Sequence, residues 1–92
     1  MNEPREDAKA KFMRFMEKGA GIIPFVQAFY MRLLWHYMRT SNEWIQINLR
    51  EMHVALGNYD KHELKRANTI LIQMGFIRMK NIDKENIEYK LL

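Results

Sequence analysis

Side chains that can bind a phosphate or the edge of a base recur at helical spacing between residues 61 and 73. Lysine pairs with phosphate oxygens, arginine can form two bonds to guanine, and threonine or glutamine can read base edges. Successive helical residues advance by about 100°, which places these side chains opposite the apolar stripe of Leu64, Ala67 and Leu71. We therefore predict a nucleic-acid-binding face made by Lys61, His62, Lys65, Arg66, Thr69 and Gln73.

Positive charge is concentrated in this same part of the chain. The whole sequence carries a formal charge of +4, and residues 61–84 alone hold six basic and two acidic residues, an equal excess. Arg78, Lys80 and Lys84 are expected to hold flanking phosphate or the minor groove, and Arg50 to contact the backbone from a helix N-terminus. The alternative is a solvated basic face of the kind that any water-soluble helix presents.

Other chemistry is poorly represented in the sequence. The chain has no cysteine, and its three histidines stand at positions 36, 53 and 62, without the spacing of metal ligands. There is no glycine-rich phosphate loop, nucleophile elbow or compact pair of carboxylates. We therefore expect neither an enzyme nor a metal or cofactor site.

Two capped helices are predicted to position the basic face. Asn48 and Asp60 are typical N-cap residues, and each is followed three positions later by a glutamate that completes a capping box. Gly57 and Gly75 are expected to end these helices. A short β-rich segment at 43–47 precedes them and predicts a strand.

Alternating apolar and polar residues at 76–81 and 86–91 predict a β-hairpin after the second helix. A helix pair joined by a tight turn is the helix-turn-helix unit, and a hairpin after it forms a wing. The predicted fold class is α+β, mainly α with a small hairpin: a winged helix-turn-helix domain at 24–92. Residues 1–23 are expected to be an extra N-terminal helix and linker, with a possible role as a dimerisation arm.

Two helices are predicted before the capped helix pair, one from Glu3-Pro4 to Lys18 and one over 24–39. The second carries apolar stripes on two nearly opposite sides, so it must be covered on both. Either the N-terminal helix folds back over the outer stripe, or a second subunit covers it, and we favour a homodimer or higher self-association. The predicted oligomer interface consists of Phe12, Phe15, Met16, Met31, Trp35 and Met38.

The second half of the chain also resembles a known family. Trp44 in a strand, the run at 48–52, Leu64-Lys65-Arg66-Ala67, and Gly75-Phe76-Ile77 are similar to the N-terminal winged-helix domain of phage replisome organisers and DnaD-like primosomal proteins. The resemblance covers roughly 24–92. It implies a bacterial or phage protein that binds double-stranded DNA and self-associates in replication initiation.

Two alternative functions and one location are predicted for this chain. The first is DNA binding in replication or transcription, with a protein partner from either process. The second is a winged-helix interaction or oligomerisation module with little affinity for DNA. Because the N-terminus lacks the apolar core of a signal peptide and no apolar run reaches membrane-spanning length, we also expect a cytoplasmic protein without membrane contact.

Overall fold

A helix pair, a strand, a second helix pair and a hairpin follow one another along the chain in the computed structural model, which describes residues 5–19 and 21–92. These residues form four helices and one three-stranded antiparallel sheet, an α+β arrangement. The elements are α1 (Glu6–Lys18), α2 (Pro24–Tyr37), β1 (Trp44–Asn48), α3 (Leu49–Leu56), α4 (Lys61–Gln73), β2 (Ile77–Asn81) and β3 (Asn86–Leu91). The predicted helix start at Glu3-Pro4 lies outside the described residues.

Side-chain caps begin α3 and α4 at the predicted positions. The amide oxygen of Asn48 accepts a hydrogen bond from the backbone N–H of Glu51 at 3.1 Å, and the carboxylate of Asp60 accepts one from Glu63 at 2.8 Å. Gly57 ends α3 with a φ of 82°, a conformation in which other residues are strained. Each cap satisfies an N–H group that the first helical turn leaves unpaired.

The sheet places β3 between the other two strands, in the order β1-β3-β2. In register, Ile47 lies opposite Ile87 and Ile77 lies opposite Leu91, so apolar side chains from all three strands share one face. That face packs against the helices, because successive residues of a strand point to opposite sides. The predicted hairpin is therefore confirmed, and β1 runs from 44 to 48 rather than from 43 to 47.

The central helix of the core is α2. Phe29, Tyr30 and Leu33 are completely buried, as is Leu71 of α4. The ring of Phe29 meets the edge of the Tyr89 ring at 5.7 Å and so joins α2 to β3. One of the two predicted apolar stripes of α2 is therefore the main contributor to the core.

One polar side chain is buried between α4 and the sheet. The hydroxyl of Tyr89 donates a hydrogen bond to the side-chain oxygen of Asn68 at 2.8 Å. Burial raises the pKa of Tyr89, with the hydrogen bond to Asn68 acting in the opposite direction. Because each buried polar group needs a hydrogen-bond partner, this bond favours one packing position of α4 on β3.

Helix α1 packs against α2 within the same chain. Phe15 is buried, stacks on Tyr30 at 4.2 Å between ring centroids, and meets the edge of Phe76 at 5.3 Å. At the other end of α1, the Tyr37 hydroxyl donates a hydrogen bond to Asp7. This bond is the largest cause of the lowered pKa of Asp7. The assignment of Phe15 to an oligomer interface was therefore wrong, because α1 uses it to bind its own core.

His36 makes the stability of the fold depend on pH. Burial, and then the nearby Arg32 guanidinium, lower the pKa of His36 below its usual value of 6.5. A lowered pKa in the folded state means that the unfolded chain binds the proton more readily. The contribution of His36 to stability is therefore fully present above pH 6.5 and is lost as pH falls from 6.5 through the folded-state pKa.

We expect the melting temperature to fall across this window and His36→Gln to flatten the profile. Differential scanning calorimetry at a series of pH values measures the effect. His62→Gln is the matched control, since His62 is exposed on α4. A wild-type profile retained in His36→Gln would contradict the assignment.

Candidate functional site

One side of α4 is exposed over its whole length. Its buried side is formed by Ala67, Asn68 and Leu71, which pack on α2 and the sheet. Within residues 5–19 and 21–92, no carboxylate lies within ion-pair distance of a lysine or arginine of α4. The exposed set contains every predicted member: Lys61, His62, Lys65, Arg66, Thr69 and Gln73.

The tip of the hairpin is held by a network around Asp83. The Asp83 carboxylate accepts hydrogen bonds from the backbone N–H groups of Glu85, at 2.7 Å, and Asn86, at 2.9 Å. These bonds, together with one from the Asn86 side chain, lower the pKa of Asp83. Lys84 is exposed on this ordered turn, so its ammonium is presented on a fixed support.

The N-terminus of α3 lies beside the same hairpin tip. The backbone N–H of Leu49 donates to the carbonyl of Glu85 at 2.8 Å, and the Asn48 side-chain amide donates to Asn86 at 3.2 Å. Arg50 reaches within 4.0 Å of the Glu85 carboxylate. Both side chains of this pair are largely exposed, so the pair contributes little to stability and leaves Arg50 accessible. The structure thus brings Arg50 beside the hairpin tip that carries Lys84.

The two basic residues of β2 lie apart from this group. Arg78 and Lys80 alternate with the inward-facing Ile77 and Met79, so they point from the outer face of the sheet. The Lys80 ammonium lies 4.1 Å from the centroid of the Trp44 ring, a cation–π contact across that outer face. The predicted DNA-binding residues are therefore divided between two surfaces.

A cleft of about 310 Å³ separates α4 from the hairpin. Lys61, Lys65 and Thr69 line its α4 side, while Met79 and Ile87 contribute apolar surface from the strands. Lysines beside such a cleft can neutralise a phosphate while the apolar wall contacts a sugar or a methyl group. The sequence pattern gave no sign of this cleft, because it depends on how α4 sits against the sheet.

The predicted oligomer residues, apart from Phe15, lie around a groove between α1 and α2. Phe12, Met31 and Met38 line this groove, which has a volume of about 270 Å³. Met16 and Trp35 are exposed nearby. Helix α1 therefore covers only part of the outer side of α2, and the residual apolar surface faces solvent.

Among residues 5–19 and 21–92, no group of three or more histidine, cysteine or acidic side chains is arranged to hold a metal ion. No helix in this described part of the chain is long and apolar enough to cross a lipid bilayer. Comparisons with protein families, with characterised proteins and with solved structures found no match to this chain.

Proposed function

We propose that this chain is a DNA-binding winged-helix protein of a bacterial or phage-infected cell, acting in replication initiation or transcription regulation. The order of elements supports a winged helix-turn-helix: α3 and α4 form the helix pair, β2 and β3 the wing, and β1 completes the sheet. The exposed face of α4 carries the main support. It offers basic and polar side chains without acidic partners, at the helix that this fold lays in a DNA groove.

The surroundings of α4 extend this interface. Lys84 on the hairpin tip and Arg50 at the start of α3 lie at the same turn, and they would contact phosphates beside the groove that receives α4. The cleft beside Lys61 and Lys65 would hold the sugar-phosphate backbone between helix and wing. Together these groups would position the duplex, while Arg66, Thr69 and Gln73 would read base edges.

The salt dependence of binding to random duplex DNA tests this proposal. Neutralisation of each phosphate by a basic side chain lowers the slope of log K against log salt by about 0.9. With Lys61, Lys65, Lys84 and Arg50 on phosphates, we expect a slope of about −3 to −4. Fluorescence anisotropy with a labelled duplex measures this slope. A slope near zero, or no binding at low salt, would reject the proposal.

A protein-interaction module with little affinity for DNA is the second candidate. The apolar surface left open around the groove between α1 and α2 favours it, because a monomer seldom exposes so many large apolar side chains side by side. The same salt series, run beside a mass measurement in solution, separates the two candidates. Self-association without DNA binding would support the second.

A further inference from the structure

An exposed apolar surface runs along α1 and α2. Met16 is 57% exposed, Met13 48%, Trp35 39% and Met31 38%, and Met38 lies beside them at the groove. We call these five residues the methionine strip. Methionine side chains adapt to irregular partners, and a tryptophan in such a position is a typical binding anchor. The strip therefore has the composition of an interface.

The two helices that form the strip are held in a fixed register. Phe15 stacks on Tyr30 near one end of the pair, and Asp7 accepts a hydrogen bond from Tyr37 near the other end. The helices are therefore antiparallel. With about 1.5 Å of rise per residue, Glu6 of α1 comes level with residues just after Tyr37, where α2 ends.

Charges of opposite sign border the strip on its two long sides. On α1, the helical positions beyond Met13 are those of Glu6 and Glu17, and both side chains are exposed. On α2, the Arg32 and Arg39 guanidinium groups lie 4.0 and 3.8 Å from the centroid of the Trp35 ring. Across the surface, the order is acidic edge, apolar strip with Arg5 and Lys9 at its groove, and basic edge.

This order makes the surface complementary to itself. A two-fold axis running along the strip would bring the acidic edge of one copy opposite the basic edge of the other. Arg39 would then face Glu6 of the second copy, and Trp35, three residues before the level of Glu6, would face the region of Lys9. Lys9 also lies beside the groove, where its flexible stem lets the ammonium reach solvent.

We propose that the methionine strip is a homodimer interface in which two copies pair about a two-fold axis parallel to α1 and α2. The occupant is a second copy of this chain because one surface supplies both charge signs in the order that the symmetry requires. No residue of α4 or of the hairpin belongs to the strip. The proposal therefore stands apart from DNA binding, and either can fail without the other.

Reciprocal charge reversals test this arrangement. Sedimentation velocity over a wide range of protein concentrations measures the dimer dissociation constant. Glu6→Arg places basic groups on both edges, and Arg39→Glu reverses the other edge. We expect each variant alone to weaken dimerisation by about tenfold or more, because like charges then meet across the interface. A mixture of the two variants should form a heterodimer of nearly wild-type affinity, since opposite charges again face each other.

Matched controls keep the result interpretable. Lys18→Glu changes the charge of α1 on the side away from the strip and should leave the dissociation constant unchanged. Trp35→Ala removes the apolar anchor and should weaken the dimer, while circular dichroism confirms that each variant is folded. A wild-type chain that stays monomeric at every concentration would overturn the proposal. So would a dimer that tolerates both single reversals, or a mixture that does not recover.

Discussion

Phe15→Ala should lower the free energy of unfolding by about 3–5 kcal/mol, the range measured when a buried phenylalanine is truncated to alanine. Phe15 is 2% exposed and joins three parts of the fold, because α1 carries it, α2 contributes the Tyr30 ring stacked on it, and Phe76 precedes β2. Truncation leaves a cavity against both rings. For a domain of this size, such a loss is a large fraction of the total stability.

Guanidinium-induced unfolding, followed by circular dichroism, measures this loss. Met16→Ala is the matched control, because Met16 is adjacent in sequence but 57% exposed, and its truncation should change stability by no more than about 0.5 kcal/mol. Both variants are compared at a protein concentration too low for association. A loss below about 1 kcal/mol for Phe15→Ala would contradict the packing of α1. A lowered dependence of unfolding on denaturant would indicate that α1 had already detached from the native state.

Local chemistry made the second half of the fold predictable. The caps Asn48 and Asp60 fix where α3 and α4 begin, and Gly57 fixes where α3 ends, because each acts on backbone groups within one turn. Alternation identified the hairpin for the same reason, since it reports directly which side of a strand faces the core. These signals depend on residues close together in the sequence.

Other features of the fold depend on tertiary packing and could not be predicted from the sequence. Phe12 and Phe15 belong to one apolar stripe, yet only Phe15 is fully buried, because only its position meets Tyr30 and Phe76. The bond from Tyr89 to Asn68 joins residues 21 positions apart, and an asparagine in a helix gives no local sign of such a partner. Both outcomes depend on how whole elements dock.

The candidate site also has features that local sequence patterns predict and others that depend on tertiary packing. The helical period of α4 was enough to predict its exposed side, because the buried and exposed residues belong to one helix. Neither the cleft beside Lys65 nor the separation of Lys80 from α4 could be predicted in this way. Both depend on the angle at which the hairpin leaves the helix, and no short-range pattern encodes that angle.

Removal of two charges from α4 should affect DNA binding far more than removal of two charges from β2. Lys65→Ala combined with Arg66→Ala should weaken binding to duplex DNA by about a hundredfold, since one phosphate contact and one base contact are lost together. The slope of log K against log salt should become less negative by about 0.9, because one phosphate contact is lost. Arg66→Ala alone should also relax base preference at one position of the site.

Arg78→Ala combined with Lys80→Ala is the matched variant, because it removes the same net charge and so weakens long-range attraction equally. Lys80 lies over Trp44 on the outer face of the sheet, away from the cleft beside α4. We expect this variant to bind duplex DNA no more than about fivefold more weakly than the wild type. A change of this size is expected when electrostatic attraction decreases and no direct contact is lost. Anisotropy titrations of both variants on one duplex, at one salt concentration, measure the difference.

The comparison separates recognition by α4 from attraction by net charge. Equal losses in the two double variants would mean that the duplex responds to charge alone, and the role proposed for α4 would be wrong. A larger loss of DNA affinity in the β2 variant would instead place the DNA interface on the outer face of the sheet around Trp44. Only a loss concentrated in Lys65 and Arg66 agrees with α4 in the groove, because those residues share its exposed side with Thr69 and Gln73.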